Sequence, residues 1–212
     1  MLFDFHHHHL RENYSGIYNK TDISSYFSGF FSIGIHPKYI SENWKERWAI
    51  LQEEIKHKNC LTIGECGLDA FSESPLALQM EVFRTQIQFA EQLNKPLTIH
   101  CVRRYNEVIQ ACKGIKVPKI IHGFNKRESI AQELIRHEFY LSFGASLLNH
   151  LSLQNIFKLL PEDKIVLETD TADISIIEIY KKAAELRNLS LEEMESLINH
   201  NLNTIFKCKI SG

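Results

Sequence analysis

Seven side chains able to bind a metal ion stand in or just beyond short apolar runs: His6 and His8, His36, Glu65, His100, His122 and Asp170. Imidazole nitrogens and carboxylate oxygens are good ligands for divalent metals, and such a site needs no cysteine. The first pair sits in MLFDFHHHHL, where an apolar, aromatic run stops in four histidines. Side chains alternate along a strand, so His6 and His8 share one face with Asp4, while His7 and His9 take the other. Two imidazoles so spaced can share one ion. Each residue alone also has an ordinary reading. A histidine at a strand end is commonly a satisfied rim residue, Glu65 could be a paired buried acid, and Asp170 could cap a helix. Four histidines in a row could be a solvated cluster or the remnant of a tag, although a tag is usually longer. The joint pattern argues for chemistry, because chance has no reason to place His, Glu and Asp at one end of successive apolar runs.

Four histidines and two carboxylates exceed one tetrahedral site. Two ions sharing Glu65 is therefore the expected arrangement. Paired cations can make a bound water acidic and steady the oxygens of a displacement at phosphorus. A remaining carboxylate, Asp170, could orient or deprotonate that water. The metal could be Zn, Mg, Mn or Ni, since this donor set does not select among them.

The elements that must position these groups alternate. Apolar runs predict strands at Leu2–Phe5, Ser15–Tyr18, Phe30–Ile35, Leu61–Leu68, Pro96–Ile99, Lys119–Ile121, Phe139–Phe143 and Lys164–Leu167. Helical spacing predicts Ser41–His57, Leu76–Leu93, Arg103–Lys113, Lys126–His137, Leu147–Leu160, Ile174–Leu186 and Leu191–Phe206, the last opened by a Ser190/Glu193 capping box. Eight near-continuous apolar strands separated by helices suit a parallel sheet covered on both faces, and eight is the number a closed barrel requires. The expected fold is thus α/β, a compact (β/α)8 TIM barrel with the ligands at the carboxyl ends of its strands. The first two strands have no room for full helices after them. An open doubly wound sheet is the alternative.

The 212 residues, 44% hydrophobic and 24% charged, read as one globular domain spanning 1–212. Lysine and arginine (24) nearly balance aspartate and glutamate (26), which gives no support for a broad nucleic-acid-binding surface. No run approaches the roughly 20 apolar residues needed to span a bilayer, and no secretion leader is evident. Five cysteines without a CxxC pair suit reduced thiols, so the expected location is cytoplasmic.

Six motifs carry a family resemblance: Asp4-Phe5-His6-His7-His8, Gly34-Ile35-His36-Pro37, Ile63-Gly64-Glu65-Cys66-Gly67-Leu68-Asp69, Pro96-Leu97-Thr98-Ile99-His100, Ile121-His122-Gly123-Phe124 and Leu167-Glu168-Thr169-Asp170. In this order they resemble the TatD-like metal-dependent deoxyribonucleases of the amidohydrolase superfamily, and Asn201 with Phe206 resembles the closing helix of that family. The resemblance implies a distorted barrel holding one to three divalent ions. His6 and His8 match its first-strand ligands, Glu65 its bridging carboxylate, and His100 and His122 the ligands of a second ion. Asp170 matches the aspartate that binds metal and activates water, and His36 a histidine contacting substrate phosphate or a further ion. The implied substrate is DNA or a short oligonucleotide, with no membrane or obligate protein partner. Departures from the commoner pattern follow His122 (Gly-Phe-Asn) and Asp170 (Thr-Ala-Asp), and the arginine after His100 comes at the third position, Arg103. They touch the rim and leave the ligands intact.

Arg103, Arg104 and Lys126 follow ligand-bearing segments and could bind phosphate; solvated helix positions are the plain alternative. His7 and His9 are expected in supporting roles. Cys66 and Cys101, each next to a ligand, read as packed small residues and not nucleophiles. Two other functions keep the same site: hydrolysis of an amide, lactone or aminoacyl ester in a small substrate, and a metal-binding scaffold without activity.

Overall fold

A computed structural model describes residues 1–9, 15–21 and 27–207. The described residues form eight strands: β1 (Asp4–His7), β2 (Gly16–Asn19), β3 (Phe30–Ile33), β4 (Cys60–Asp69), β5 (Leu97–Val102), β6 (Lys119–Ile121), β7 (Phe139–Phe143) and β8 (Ile165–Leu167). They belong to one sheet in chain order. The helices are α1 (Trp44–Lys56), α2 (Leu76–Leu93), α3 (Tyr105–Ala111), α4 (Glu128–Arg136), α5 (Ser146–Asn149), α6 (Leu151–Leu159), α7 (Ile176–Arg187) and α8 (Leu191–Phe206). Among the described residues no helix separates β1, β2 and β3. Part of the polar stretch after the histidine run, 10–14 and 22–26, and Cys208 lie outside the described residues. The chain forms two compact units, one of Met1–Ile17 with His122–Gly212 and one of Tyr18–Ile121.

In the Tyr18–Ile121 unit, β3, β4, β5 and β6 pair in parallel. β4 is twice as long as most of its neighbours, and its register against β5 shifts between Ile63 and Cys66. Glu65 falls inside that shift, so it sits mid-strand. His100 likewise lies within β5, which runs on to Val102. α1 buries Trp44, Trp48, Leu51 and Ile55, the stripe that i,i+4 spacing dictates. α2 buries Val82, Phe83, Ile87 and Ala90 but also two glutamines. Gln86 accepts from the Ile35 amide (2.7 Å) and donates to the Ile35 carbonyl (3.1 Å). Gln79 does the same for Asp69, at 2.9 and 3.1 Å. Two buried amides thus satisfy the backbone where β3 and β4 run out, and fix the residues that follow.

In the other unit, β7 and β8 pair in parallel, and β1 is bonded to the segment after β8. Asp4 is fully buried and accepts from Thr169 twice, from its amide at 2.9 Å and its hydroxyl at 2.6 Å. The Tyr180 hydroxyl of α7 donates to the Phe3 carbonyl (2.9 Å), and Asn201 of α8 donates to the carbonyls of Glu162 and Ile165 (2.7 and 2.8 Å). The capping box at Ser190 and Glu193 forms as expected. The single helix expected over Leu147–Leu160 is two, broken at His150, whose backbone is extended (φ −97°, ψ 97°). Leu147 and Leu153 are both buried, yet six residues along one straight helix would set them about 120° apart. The break turns both inward, and the Gln154 amide donates to the carbonyls of Leu147 and Leu148 left at the end of α5 (3.0 and 3.1 Å).

Candidate metal centre

The Met1–Ile17 and His122–Gly212 unit gathers His6, His8, His122 and Asp170. His6 of β1 and His8, the residue after β1, bring their Nε2 atoms 3.2 Å apart. Asp170 Oδ1 lies 3.4 Å from His8 Nε2 and 3.9 Å from His6 Nε2. Its backbone is left-handed (φ 55°) and is held to β1 on both sides, its amide donating to the His6 carbonyl (2.9 Å) and its carbonyl accepting from the His8 amide (3.1 Å). His122, the residue after β6, joins through its ring, 4.6 Å from that of His6. His6, His122 and Asp170 can each bring a ligand atom within 4.8 Å of the others. His6 is fully buried, whereas the Asp170 side chain is 34% exposed, so water reaches the carboxylate.

Glu168 looks similar in sequence but is placed otherwise. Its carboxylate is buried, accepting from the Gly123 amide (2.6 Å) and the Ser142 hydroxyl. It fixes the turn that follows His122 and stands 3.7 Å from the His122 ring. His7 and His9 bond to backbone, at the carbonyls of His9 and Thr171 (3.0 Å each). They serve the frame, as the strand period predicts.

The Tyr18–Ile121 unit gathers His36, Glu65 and His100, whose ligand atoms also lie within 4.8 Å of one another. Glu65 Oε2 accepts from Asn19 Nδ2 of β2 (2.7 Å), and Asn19 in turn accepts from the Ser32 hydroxyl (3.2 Å). That chain orients Glu65 and leaves Oε1 toward His100 Nδ1, 4.0 Å away. His100 Nε2 meets Asp69 Oδ2 at 3.0 Å. Burial alone would raise the Asp69 carboxyl, but the Phe71 amide, His100 and Lys38 outweigh it and hold it below its ordinary value. Asp69 is therefore an acceptor at neutral pH. A neutral His100 ring must then carry its hydrogen on Nε2 and present a lone pair at Nδ1. His36 Nδ1 accepts from the Lys38 amide (3.0 Å), capping the 3-10 turn Pro37–Tyr39, so Nε2 is the ligand atom it can offer.

Both clusters fit a divalent cation. Ligands about 2.0–2.1 Å from a shared tetrahedral ion stand roughly 3.3 Å apart, and the His6, His8 and Asp170 atoms are separated by 3.2 to 3.9 Å. Two imidazole nitrogens at 3.2 Å cannot both point hydrogens at each other. Lone pairs and a carboxylate converging at that range repel unless a proton or a cation lies among them. The aspartate–histidine pair of Asp69 and His100 is the outer-shell arrangement that fixes a metal-binding tautomer.

A family model described as TatD related DNase matches residues 13–207. The chain belongs to the TatD-related DNase family. It is 29% identical over 204 residues to YabD of Bacillus subtilis, named as an uncharacterized metal-dependent hydrolase, covering 87% of this chain and 80% of that protein. It is 27% identical over 223 residues to human deoxyribonuclease TATDN3, covering 91% of this chain and 81% of that protein. The crystal structure of YJJV, a TatD homolog from Escherichia coli, superposes with a TM-score of 0.81 at 18% identity, covering 97% of this chain and 98% of that one. A TatD family hydrolase from Entamoeba histolytica superposes at 0.78 and 14% identity, over 97% of each chain. The fold class of this TatD-family chain is accordingly the (β/α)8 TIM barrel. No helix among the described residues is long and apolar enough to cross a membrane.

Each ligand singled out from sequence lies in one cluster or the other. Arg103 is exposed, its guanidinium 4.7 Å over the Phe71 ring, and Arg104 pairs with Glu107 at 3.0 Å. Three of the buried thiols are poor nucleophiles. Burial pushes Cys60 up to about 11 and Cys112 to about 12, and raises Cys66 well above its usual value. Asp69, Asn19 and the Glu168–Ser142 pair were missed. Of these Asp69 and Glu168 carried a signal, as members of the Glu65 and Asp170 motifs. Asp69→Asn is expected to weaken Zn²⁺ binding about 10–100-fold by releasing the His100 tautomer. Competition against a chelator dye measures it, and an affinity within twofold of wild type would remove this role.

Proposed function

We propose that this TatD-family protein is a phosphodiesterase that cleaves DNA or short oligonucleotides with two divalent ions. Its ligands are His6, His8, His122 and Asp170 in one cluster and Glu65 and His100 in the other. The observation that carries the reading is the set of His6, His8 and Asp170 ligand atoms within 3.9 Å of one another, with the carboxylate open to solvent. When bound, divalent ions supply positive charge beside the scissile phosphate and acidify the attacking water. Asp170 orients that water and accepts its proton, a task suited to a carboxylate that is held rigidly by its backbone yet partly exposed. Glu65, fixed by Asn19, would hold a divalent ion together with His100. His36 Nε2 and the Arg103 guanidinium bind phosphate oxygens, Arg103 by paired hydrogen bonds. The human relative's name, deoxyribonuclease, supports the choice of bond.

The test is hydrolysis by purified protein loaded with Mg²⁺, Mn²⁺ or Zn²⁺, with ions per chain counted by elemental analysis. DNA oligonucleotides and bis(p-nitrophenyl) phosphate are offered beside lactone, amide and aminoacyl ester substrates. Phosphodiester turnover is expected to dominate. A loaded protein that cleaves only carboxylic esters or amides, or nothing, would overturn the proposal.

A further inference from the structure

The described residues leave six large apolar side chains exposed, and two of them are aromatic: Tyr39 (62%) and Phe71 (64%). Both stand beside the His36–Glu65–His100 cluster. The Tyr39 ring lies 5.4 Å from that of His36, which lies 4.3 Å from His100. Phe71 is tied to Asp69, the partner of His100, through its own amide (2.8 Å). Neither aromatic rides on a loose segment. The Ser72 hydroxyl donates to the Pro37 carbonyl (2.7 Å) and the Ser74 hydroxyl to the Ile40 carbonyl (3.3 Å), which clamps the Phe71 turn to the Tyr39 turn. Each ring is accompanied by a cation. Arg103 sits over Phe71, and Lys38, beside Tyr39 in sequence, reaches to 3.8 Å from Asp69.

Fixed aromatic faces interleaved with cations are how proteins hold single-stranded nucleic acid: bases stack and phosphates pair. A duplex offers no free base face, and a small ester or amide substrate needs no pair of platforms. We propose that Tyr39 and Phe71 are stacking platforms for unpaired bases of a single strand, with Lys38 and Arg103 on the flanking phosphates. This role for the two rings rests on the phosphodiesterase reading above. It also explains how a chain of nearly balanced charge could retain a polyanion, since the attraction is local.

The test uses metal-loaded protein, wild type, Tyr39→Ala, Phe71→Ala, and the aromatic replacements Tyr39→Phe and Phe71→Trp. A single-stranded phosphorothioate oligonucleotide with a terminal 2-aminopurine reports stacking by fluorescence quenching. Quenching is expected with wild type and the aromatic replacements. Each alanine variant should bind about tenfold or more weakly, within the range measured for loss of one base–aromatic stack. In turnover, each alanine variant should lose at least tenfold more kcat/KM on a cleavable single strand than on bis(p-nitrophenyl) phosphate, which has no base. Equal losses on both substrates, or unquenched binding by wild type, would overturn the platforms while phosphodiester hydrolysis stands. Absence of phosphodiester turnover in wild type would overturn the function itself, with the quenching assay still deciding the platforms.

Discussion

Asp170→Asn is expected to lower phosphodiester turnover by about 10²–10⁴-fold, the range for removing a positioned general base, while leaving the fold intact. Asparagine suits this test for a conformational reason. Asp170 is left-handed (φ 55°), a conformation asparagine tolerates far better than alanine does. Both backbone bonds to β1 are independent of the side chain. The variant therefore removes the charge and the proton acceptor without disturbing the strand that carries His6 and His8. Turnover at saturating Mn²⁺, beside a thermal melt, measures it. Retention of more than a tenth of the activity in a fully loaded variant would take Asp170 out of the mechanism. Raising Mn²⁺ further should not restore the rate, since saturation corrects weak binding and not a missing base.

Gly67→Ala is expected to cost about 4 kcal/mol, by overpacking together with a disfavoured backbone conformation. A Cβ at Gly67 would lie 2.1 Å from the His100 carbonyl oxygen, and the position has φ 134°. Nothing there can yield cheaply, because the obstacle is the backbone of β5 itself. The melting temperature should fall by roughly 10 °C for a chain of this size. Movement of β4 away from β5 would also part Glu65 from His100, so metal affinity should drop with it. Gly114→Ala supplies the comparison. Gly114 also has positive φ (82°), but no atom lies within 4 Å of its would-be Cβ. It should lose only about 1 kcal/mol, the usual cost of placing a side chain in that region. Equal losses at the two positions would show that close approach of the strands is not what requires glycine at 67.

The buried thiols of Cys60 and Cys66 illustrate how burial keeps a group inert. Cys66 is next to Glu65 yet wholly buried, and low dielectric holds it in the neutral form. Cys60 lies near the Lys95 ammonium, which donates to the carbonyls of Ile55, His57 and Cys60. Even that charge does not offset burial, and the Cys60 thiol remains at about 11.

Local order was legible in the sequence wherever one period ruled. The bounds of β6, β7, α2 and α8 coincide with the apolar runs that predicted them. The pairing of His6 with His8 on one side, and the separation of His7 and His9 from them, followed from the two-residue repeat of a strand alone. The capping box at Ser190 is equally local, three residues and two reciprocal bonds. Motif order was enough to point to the family and the barrel. What only the tertiary structure decided depends on residues far apart meeting. Asn19 orients Glu65 from 46 positions away, and Gln86 serves the Ile35 backbone from 51. Glu168 and Asp170 are two residues apart and chemically alike, yet one is buried against Ser142 and Gly123 while the other opens to water between two histidines. Spacing cannot distinguish them, because a carboxylate becomes structural or reactive through the donors and solvent around it, and those are supplied by other strands.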